Sequence, residues 1–270
     1  MDLLSSMLRK PTAQDDKYSR GVVGFVTGST SFPGAAILGV TAAMRTGVGM
    51  VRWLGPESVG RLLLEVRPEV VIQNGRVQAW VVGSGVPADP LDEQAENITR
   101  SLASGEFAVI DAGALALVDF GALQAQSILT PHAGELSSLL ERFGRVVSRK
   151  EIEAEPIKYA VLAAELTGQT ILLKGNVTTI VGPDGQASQT PPANPALATA
   201  GSGDVLAGIL GALIAENSAK LEAGDVTLAQ VALAGSTLHA RAAGLAAESG
   251  PVVAMDIAEA IRQIVGEILA

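Results

Sequence analysis

Apolar residues run along this chain in short continuous blocks, each ending in a glycine-rich or polar break that leads into helical spacing. The first block, Gly21 to Gly28, reads as a strand that gives way to the loop Ser29-Thr30-Ser31-Phe32. Pro33 then opens a helix through Arg45, because proline fits a first helical position, and Gly47 stands where a C-terminal stop belongs. Val48–Leu54 reads as the next strand, followed by a helix around Val59–Val66. Ala79–Gly85 is a third strand, and a polar helix is expected from about Asp89 to Ala103. Phe107–Asp111 and a short run from Ser127 to Pro131 continue the series. Helices from about Gly134 to Phe143 and from about Lys150 to Leu166 come next. Apolar strands alternating with helices predict an α/β protein whose parallel sheet is covered on both faces.

After Thr170 the texture changes. Ile171 to Gln186 reads strand, turn, strand, turn, with Gly175-Asn176 and Pro183-Asp184-Gly185 supplying the turns, so a hairpin set should edge the sheet. The stretch Val205–Ala215 places Leu206, Ile209, Leu210, Leu213 and Ile214 at helical spacing around a deeply buried helix. An Ala-rich helix from about Leu228 to Ala247 follows. A last one starts near Asp256, with Ile257, Ile261, Ile264 and Ile268 on one stripe. Residues 1–20 are polar and read as an N-terminal extension or first helix, leaving residues 21–270 as a single domain.

Composition narrows the chemistry. The formal net charge of −9 has the wrong sign for a general nucleic-acid binder, whose affinity rests on neutralising phosphates. The absence of cysteine removes disulfides, thiolate nucleophiles, zinc–cysteine sites and iron–sulfur clusters. Two histidines, His132 and His239, cannot build a three-histidine metal site. No stretch reads as a signal peptide or membrane span, so the expected location is the cytoplasm.

The loop Ala200-Gly201-Ser202-Gly203-Asp204 before the buried helix is the most informative feature. Free amides at a helix N-terminus favour an anion, and glycines let a phosphate approach the backbone. The loop is not a Walker A motif, and Leu206 occupies the place of the third glycine of a dinucleotide fingerprint. Asp204 would repel an anion unless it takes a proton or reaches a metal; the plainer role is an N-terminal helix acid. Lys174 ends a buried strand beside Gly175, where open α/β sheets bind ligands, or else snorkels to water. His132 and Glu135, in Thr130-Pro131-His132-Ala133-Gly134-Glu135, offer a proton carrier or ligand contact and a metal-water ligand. Equally, that histidine is a helix-start residue. Asp111 is a substrate contact or a loop-fixing carboxylate. The small-residue loops Gly28–Ala35 and Val82–Val86 suit an anionic or close-packed ligand, and the whole set favours a nucleotide-like one.

The segments GSTSFPGAAIL, GSGV, IDAGAL, LTPHAGEL, LLKGNVTTI and NPALATAGSGDVLAGIL, in that order, resemble the ADP-dependent NAD(P)H-hydrate dehydratase family of the ribokinase-like superfamily. The resemblance implies a three-layer α/β/α ribokinase-like fold with a mostly parallel central sheet and a C-terminal hairpin edge. It implies repair of damaged nicotinamide cofactors: the S epimer of hydrated NADH or NADPH is dehydrated while ADP, with Mg²⁺, is split to AMP and phosphate. By matched motif, Lys174, Gly175, Asn176, Val177, Thr178 and Gly203 would bind the nucleotide. Ala35, Gly85, His132 and Asp204 would line the hydrated-cofactor site, with Asp204 catalytic. The chain has Gly83-Ser84-Gly85 where the family usually has Gly-Pro-Gly, and Ser202 where it usually has threonine. A separate NAD(P)H-hydrate epimerase is the implied functional partner, and a homo-oligomer the implied assembly. Two other readings of the same loops are a ribokinase-like kinase of a vitamin precursor and a non-catalytic nucleotide sensor.

Overall fold

The computed structural model describes residues 2–90 and 93–270. Eight strands form one sheet in the order β2-β1-β3-β4-β5-β6-β7-β8. These are β1 (Val22–Val26), β2 (Met50–Trp53), β3 (Ala79–Val82), β4 (Phe107–Ile110), β5 (Ser127–Leu129), β6 (Thr170–Leu173), β7 (Thr179–Val181) and β8 (Ala187–Gln189). Pairing is parallel from β2 through β6, and antiparallel where β7 and β8 return along the edge. Strands β1 and β3 to β7 are buried almost throughout, the exception being Phe107, as expected of a sheet covered on both faces. Exposed β8 closes the edge.

Two apolar layers flank the sheet. One holds α1 (Leu3–Met7), α2 (Pro33–Thr46), α9 (Ser202–Glu216), α11 (Leu228–Ala247) and α12 (Ala254–Leu269). The other holds α4 (Gln94–Leu102), α5 (Ala114–Leu117), α6 (Ala133–Arg142), α7 (Arg149–Ala154) and α8 (Pro156–Thr167). Helices α3 (Glu57–Val66) and α10 (Ser218–Glu222) complete the set. The three-layer α/β/α architecture, the parallel sheet and its hairpin edge agree with the sequence.

Four details differ. The single helix expected from Lys150 to Leu166 is broken into α7 and α8 at Pro156, whose ring cannot follow a carbonyl four residues back. Short α5 and α10 were not foreseen. The polar helix begins at Gln94, not Asp89; Leu91 and Asp92, within the expected span, lie outside the described residues. Finally, the start of the extension is not separate: Leu4, Met7 and Leu8 are buried in the first apolar layer.

The packing that matters most for the site is between α2 and α9. A Cβ on Gly208 would lie 2.1 Å from the Gly39 carbonyl oxygen, and one on Gly39 only 3.3 Å from the Asp204 carbonyl. Only glycine permits that backbone approach at Gly208. It fixes the N-terminal turn of α9, and with it Asp204, against the first half of α2. Gly211 does the same toward the sheet, where a Cβ would meet Val81 at 2.2 Å. The remaining inward positions of α9, from Val205 to Ala215, are buried. Burial of that apolar face, at roughly 25 cal/mol per Å², holds the helix down onto the strand ends.

Candidate active site at the strand ends

Asp111, the residue after β4, organises the carboxyl edge of the sheet. It is 3% exposed and accepts hydrogen bonds from Ser84 Oγ at 2.8 Å, Thr130 Oγ1 at 2.7 Å and Lys174 Nζ at 2.8 Å. Its donors come from the loops after β3, β5 and β6, so one carboxylate ties three strand ends together. Burial alone would push its pKa up. The adjacent Lys174 ammonium and the three side-chain donors outweigh that and hold it below the ordinary value. Of the two readings open for Asp111, the loop-fixing one is what the geometry shows. The next residue, Ala112, has φ +47°, an uncommon left-handed conformation for alanine, and sits at this bend.

The Ser84 hydroxyl anchors its turn to Asp111. Gly83 (φ +99°) and Gly85 (φ +67°) adopt the left-handed conformation on either side. A Cβ on Gly85 would lie 2.3 Å from Ala35 Cβ, so the first turn of α2 and the Gly85 loop touch. Ser202 retains a tether at its own position, donating from Oγ to the Leu197 carbonyl at 2.8 Å.

Lys174 is mostly withdrawn from solvent. Its amide donates to the Pro131 carbonyl at 2.8 Å, which sets the β6 end beside the His132 turn. Its ammonium lies 3.7 Å from Glu135 Oε2 as well as pairing with Asp111. Burial works against the charge, but Asp111, Glu135 and Asp204 together raise its pKa, so it is a fixed cation. The snorkelling alternative does not describe it.

His132 caps α6. Its Nδ1 accepts from the amides of Gly134 at 3.0 Å and Glu135 at 3.1 Å, and Glu135 Oε2 accepts from the His132 amide at 2.8 Å. This is a capping box with histidine in the serine place. Because Nδ1 is an acceptor, the ring proton sits on Nε2. The side chain is 59% exposed, with its Nε2 3.6 Å from Glu135 Oε2. The role expected for Glu135 as a metal-water ligand gives way to the cap and to Lys174.

Asp204 stands at the third position of α9, after Gly201 (φ +89°). Burial and the negative charge of Asp111 push its pKa up to about 7, with Lys174 opposing. Gly203 faces the lysine: a Cβ there would lie 3.7 Å from Lys174 Nζ. A raised carboxylate, a fixed cation and the free amides of a helix N-terminus thus share one corner. That arrangement can accept a proton and stabilise an anion at the same place.

Two cavities adjoin the turn from Lys174 to Thr178. One of about 530 Å³ is lined by Lys174, Gly175, Asn176, Thr178 and Gly203. The other, about 800 Å³, reaches Val177 and lies toward α7. His132 touches both. Five of the six residues expected at the nucleotide therefore line the first cavity. Sequence reasoning offered Asp111 as a loop-fixing carboxylate without its three partners, and gave no role to His239, which lines that cavity from α11.

Among the described residues no group of three His, Asp or Glu side chains is placed to hold a metal ion. Asp111 is saturated by donors, and Glu135 is engaged in its cap. The donor set fits a Mg²⁺ carried by nucleotide phosphates and water, and not a dedicated protein cage.

A family profile described as NAD(P)H-hydrate dehydratase matches residues 23–265. The chain is 37% identical to a bifunctional NAD(P)H-hydrate repair enzyme of Corynebacterium glutamicum, over 93% of this chain and 48% of that protein. It therefore spans about half the length of that relative. It is 31% identical to an ADP-dependent (S)-NAD(P)H-hydrate dehydratase of Neisseria meningitidis, over 91% of this chain and 84% of that one. Its fold is similar to the crystal structure of an ADP/ATP-dependent NAD(P)H-hydrate dehydratase from Bacillus subtilis co-crystallised with ATP/Mg²⁺. The TM-score is 0.84 at 26% identity, covering 98% of this chain and 96% of that one. With the profile running from β1 into α12, the chain belongs to the NAD(P)H-hydrate dehydratase family.

Proposed function

We propose that this protein repairs nicotinamide cofactors, dehydrating the S epimer of hydrated NADH or NADPH at the expense of ADP, with release of AMP and phosphate. One observation carries the reading: a carboxylate raised to about 7, Asp204, stands beside a fixed lysine at the open N-terminus of α9. A base with that pKa is matched to taking a hydroxyl proton near neutral pH.

In this account Asp204 removes the proton from the hydrate's hydroxyl. The oxygen attacks the terminal phosphorus of ADP, the bond to AMP breaks, and AMP leaves with the bonding pair. The phosphate now on the ring carbon departs with its C–O electron pair as a proton leaves the neighbouring carbon. The ring double bond is restored, and the sum is hydrate plus ADP giving dihydronicotinamide, AMP, phosphate and a proton. Lys174 and the amide of Gly203 hold the phosphate in line. Mg²⁺ bound with the nucleotide supplies further neutralisation of phosphate charge.

Lys174, Gly175, Asn176, Val177, Thr178 and Gly203 hold the nucleotide. Ala35, Gly85 and His132 line the hydrate site together with Asp204. Contact between the first turn of α2 at Ala35 and the Gly85 loop supports that grouping. The bifunctional relative's printed name, together with its greater length, supports a separate epimerase as functional partner. We place the protein in the cytoplasm as a homo-oligomer; among the described residues no helix is long and apolar enough to cross a membrane.

The test is recovery of dihydronicotinamide absorbance from hydrated NADH with Mg²⁺ and either ADP or ATP, with AMP and phosphate assayed alongside. Recovery with ADP and stoichiometric AMP is expected. Recovery with ATP alone overturns the nucleotide assignment. A stable phosphorylated product without recovered absorbance marks a small-molecule kinase instead.

A further inference from the structure

A third cavity, of about 420 Å³, opens beside His132, and of its lining residues His132 alone also borders either nucleotide cavity. Its walls come from the same three loops that build the centre, a step further along each. Val86 and Ala88 follow Gly85, Ala112 and Gly113 follow Asp111, and Gly134 and Glu135 follow His132. A Cβ on Gly113 would lie 2.0 Å from the Val86 carbonyl oxygen, so the loops after β3 and β4 meet backbone to backbone and the wall is preformed. Helices α5 and α6 add an apolar surface through Leu115, Ala116 and Leu139. Arg142, also at this cavity, donates from its guanidinium to the carbonyls of Leu115 and Val118 and lies over the Phe120 ring. Those carbonyls are neutral and leave its positive charge uncancelled. Glu135, the acid on the same wall, is tied into the α6 cap and lies 3.7 Å from Lys174. A mostly apolar cleft of this size with a few polar groups at its wall is the usual form of a small-ligand site.

We propose that this cavity takes the half of the hydrated cofactor that does not react, its adenine seated on the α5–α6 surface and its phosphate drawn to the Arg142 charge. The inference rests on the dehydratase reading above and deepens it. The hydrate is a dinucleotide, in which the ring to be dehydrated is joined through a pyrophosphate to an adenosine. With that ring among Ala35, Gly85, His132 and Asp204, the rest of the molecule has to leave the corner, and the two cavities at the Lys174–Thr178 turn belong to ADP. The cavity that continues from Gly85 and His132 is open to it. A flat heterocycle suits the apolar wall, and a phosphate suits the cation. Binding energy from this remote half then holds the reacting ring in place against Asp204 and ADP.

The experiment compares kcat/KM for hydrated NADH with that for the hydrate of reduced nicotinamide mononucleotide, which lacks the adenosine monophosphate half, in wild type and in Ala116→Trp. Ala116 is exposed on α5, so a tryptophan there fills the cavity without entering the core. Wild type should prefer the full hydrate by about tenfold or more. Ala116→Trp should cost the full hydrate about tenfold and the truncated one less than about twofold. Ser138→Glu, at an exposed position of α6 on the same cavity, sets a carboxylate against the phosphate. It should show the same split, and it serves if the tryptophan variant does not fold. A loss shared by both substrates marks a merely structural effect and overturns the inference. So does activity on the full hydrate that survives intact in both variants. Wild type that uses the two hydrates alike also overturns it, while the dehydratase reading stands. Wild type that dehydrates neither, with ADP or with ATP, removes that reading and this inference together.

Discussion

Helix α9 carries a raised carboxylate at each end, and the two could hardly be placed more differently. Asp204 at the N-terminus is pushed to about 7 by burial and Asp111, against the pull of Lys174. Glu216 at the C-terminus is pushed to about 8 by burial, with Arg20 and Arg9 opposing. The helix dipole favours a carboxylate at the first end and disfavours one at the second. Glu216 Oε1 has no hydrogen-bond partner and is sealed against the end of α2, where a Cβ on Gly47 would lie 3.1 Å away. Asp204 feels instead the charge of Lys174, which lines a cavity together with Gly203. A perturbed pKa is therefore not a sign of chemistry by itself. What distinguishes the two ends is the company of an anion site that ligand can reach.

The sharpest way to break that comparison is at Asp204. Asp204→Asn should keep nucleotide affinity, measured by calorimetry, and lose turnover by about 10²–10⁴. Undiminished turnover would show that Asp204 is only a helix-start acid. Next is Asp111→Ala, which leaves Lys174 buried without its partner. A stability loss of about 3–5 kcal/mol is expected in denaturant titration, together with lost nucleotide binding.

Glu216→Gln should act in the opposite sense. A carboxylate whose folded pKa lies above its unfolded value takes up a proton on folding, so it lowers stability as pH rises from about 4.5 toward 8. Glutamine removes that dependence. The variant should melt several degrees higher than wild type at pH 8, and the gap should close near pH 5, with turnover unchanged. The smallest effect is expected from Ser84→Ala, which removes one hydrogen bond to a buried carboxylate. It should cost about 1.5–3 kcal/mol and raise KM for the hydrate more than it changes kcat.

The same contrast explains how much could be read from the chain. Strand and helix order was legible because each buried strand is a continuous apolar run, as in Phe107–Ile110, and each long helix has its stripe. Pro156 held the information for the α7–α8 break, and its weight as a helix breaker was underused. At the site, Asp204, Lys174 and His132 were visible because their signal is local: a small-residue loop, a strand end, a helix start. The helix-start place of His132 was visible in the same way, while the share of Glu135 in the cap was not. Asp111 as the common partner of Ser84, Thr130 and Lys174 was not, since its partners lie 27, 19 and 63 residues away and meet only through parallel pairing. His239 was silent for a like reason: nothing in its Ala-rich helix announces the cavity it lines.

The most direct test of the central claim is the pH dependence of kcat/KM for the hydrate, for wild type and Glu216→Gln in parallel. The account predicts an acid limb in both, rising about tenfold per pH unit and levelling near about 7, where Asp204 becomes ionised. A profile flat from pH 5 to 8 would contradict it. So would an acid limb that disappears when Glu216 is replaced, because the titrating group would then sit at the wrong end of the helix.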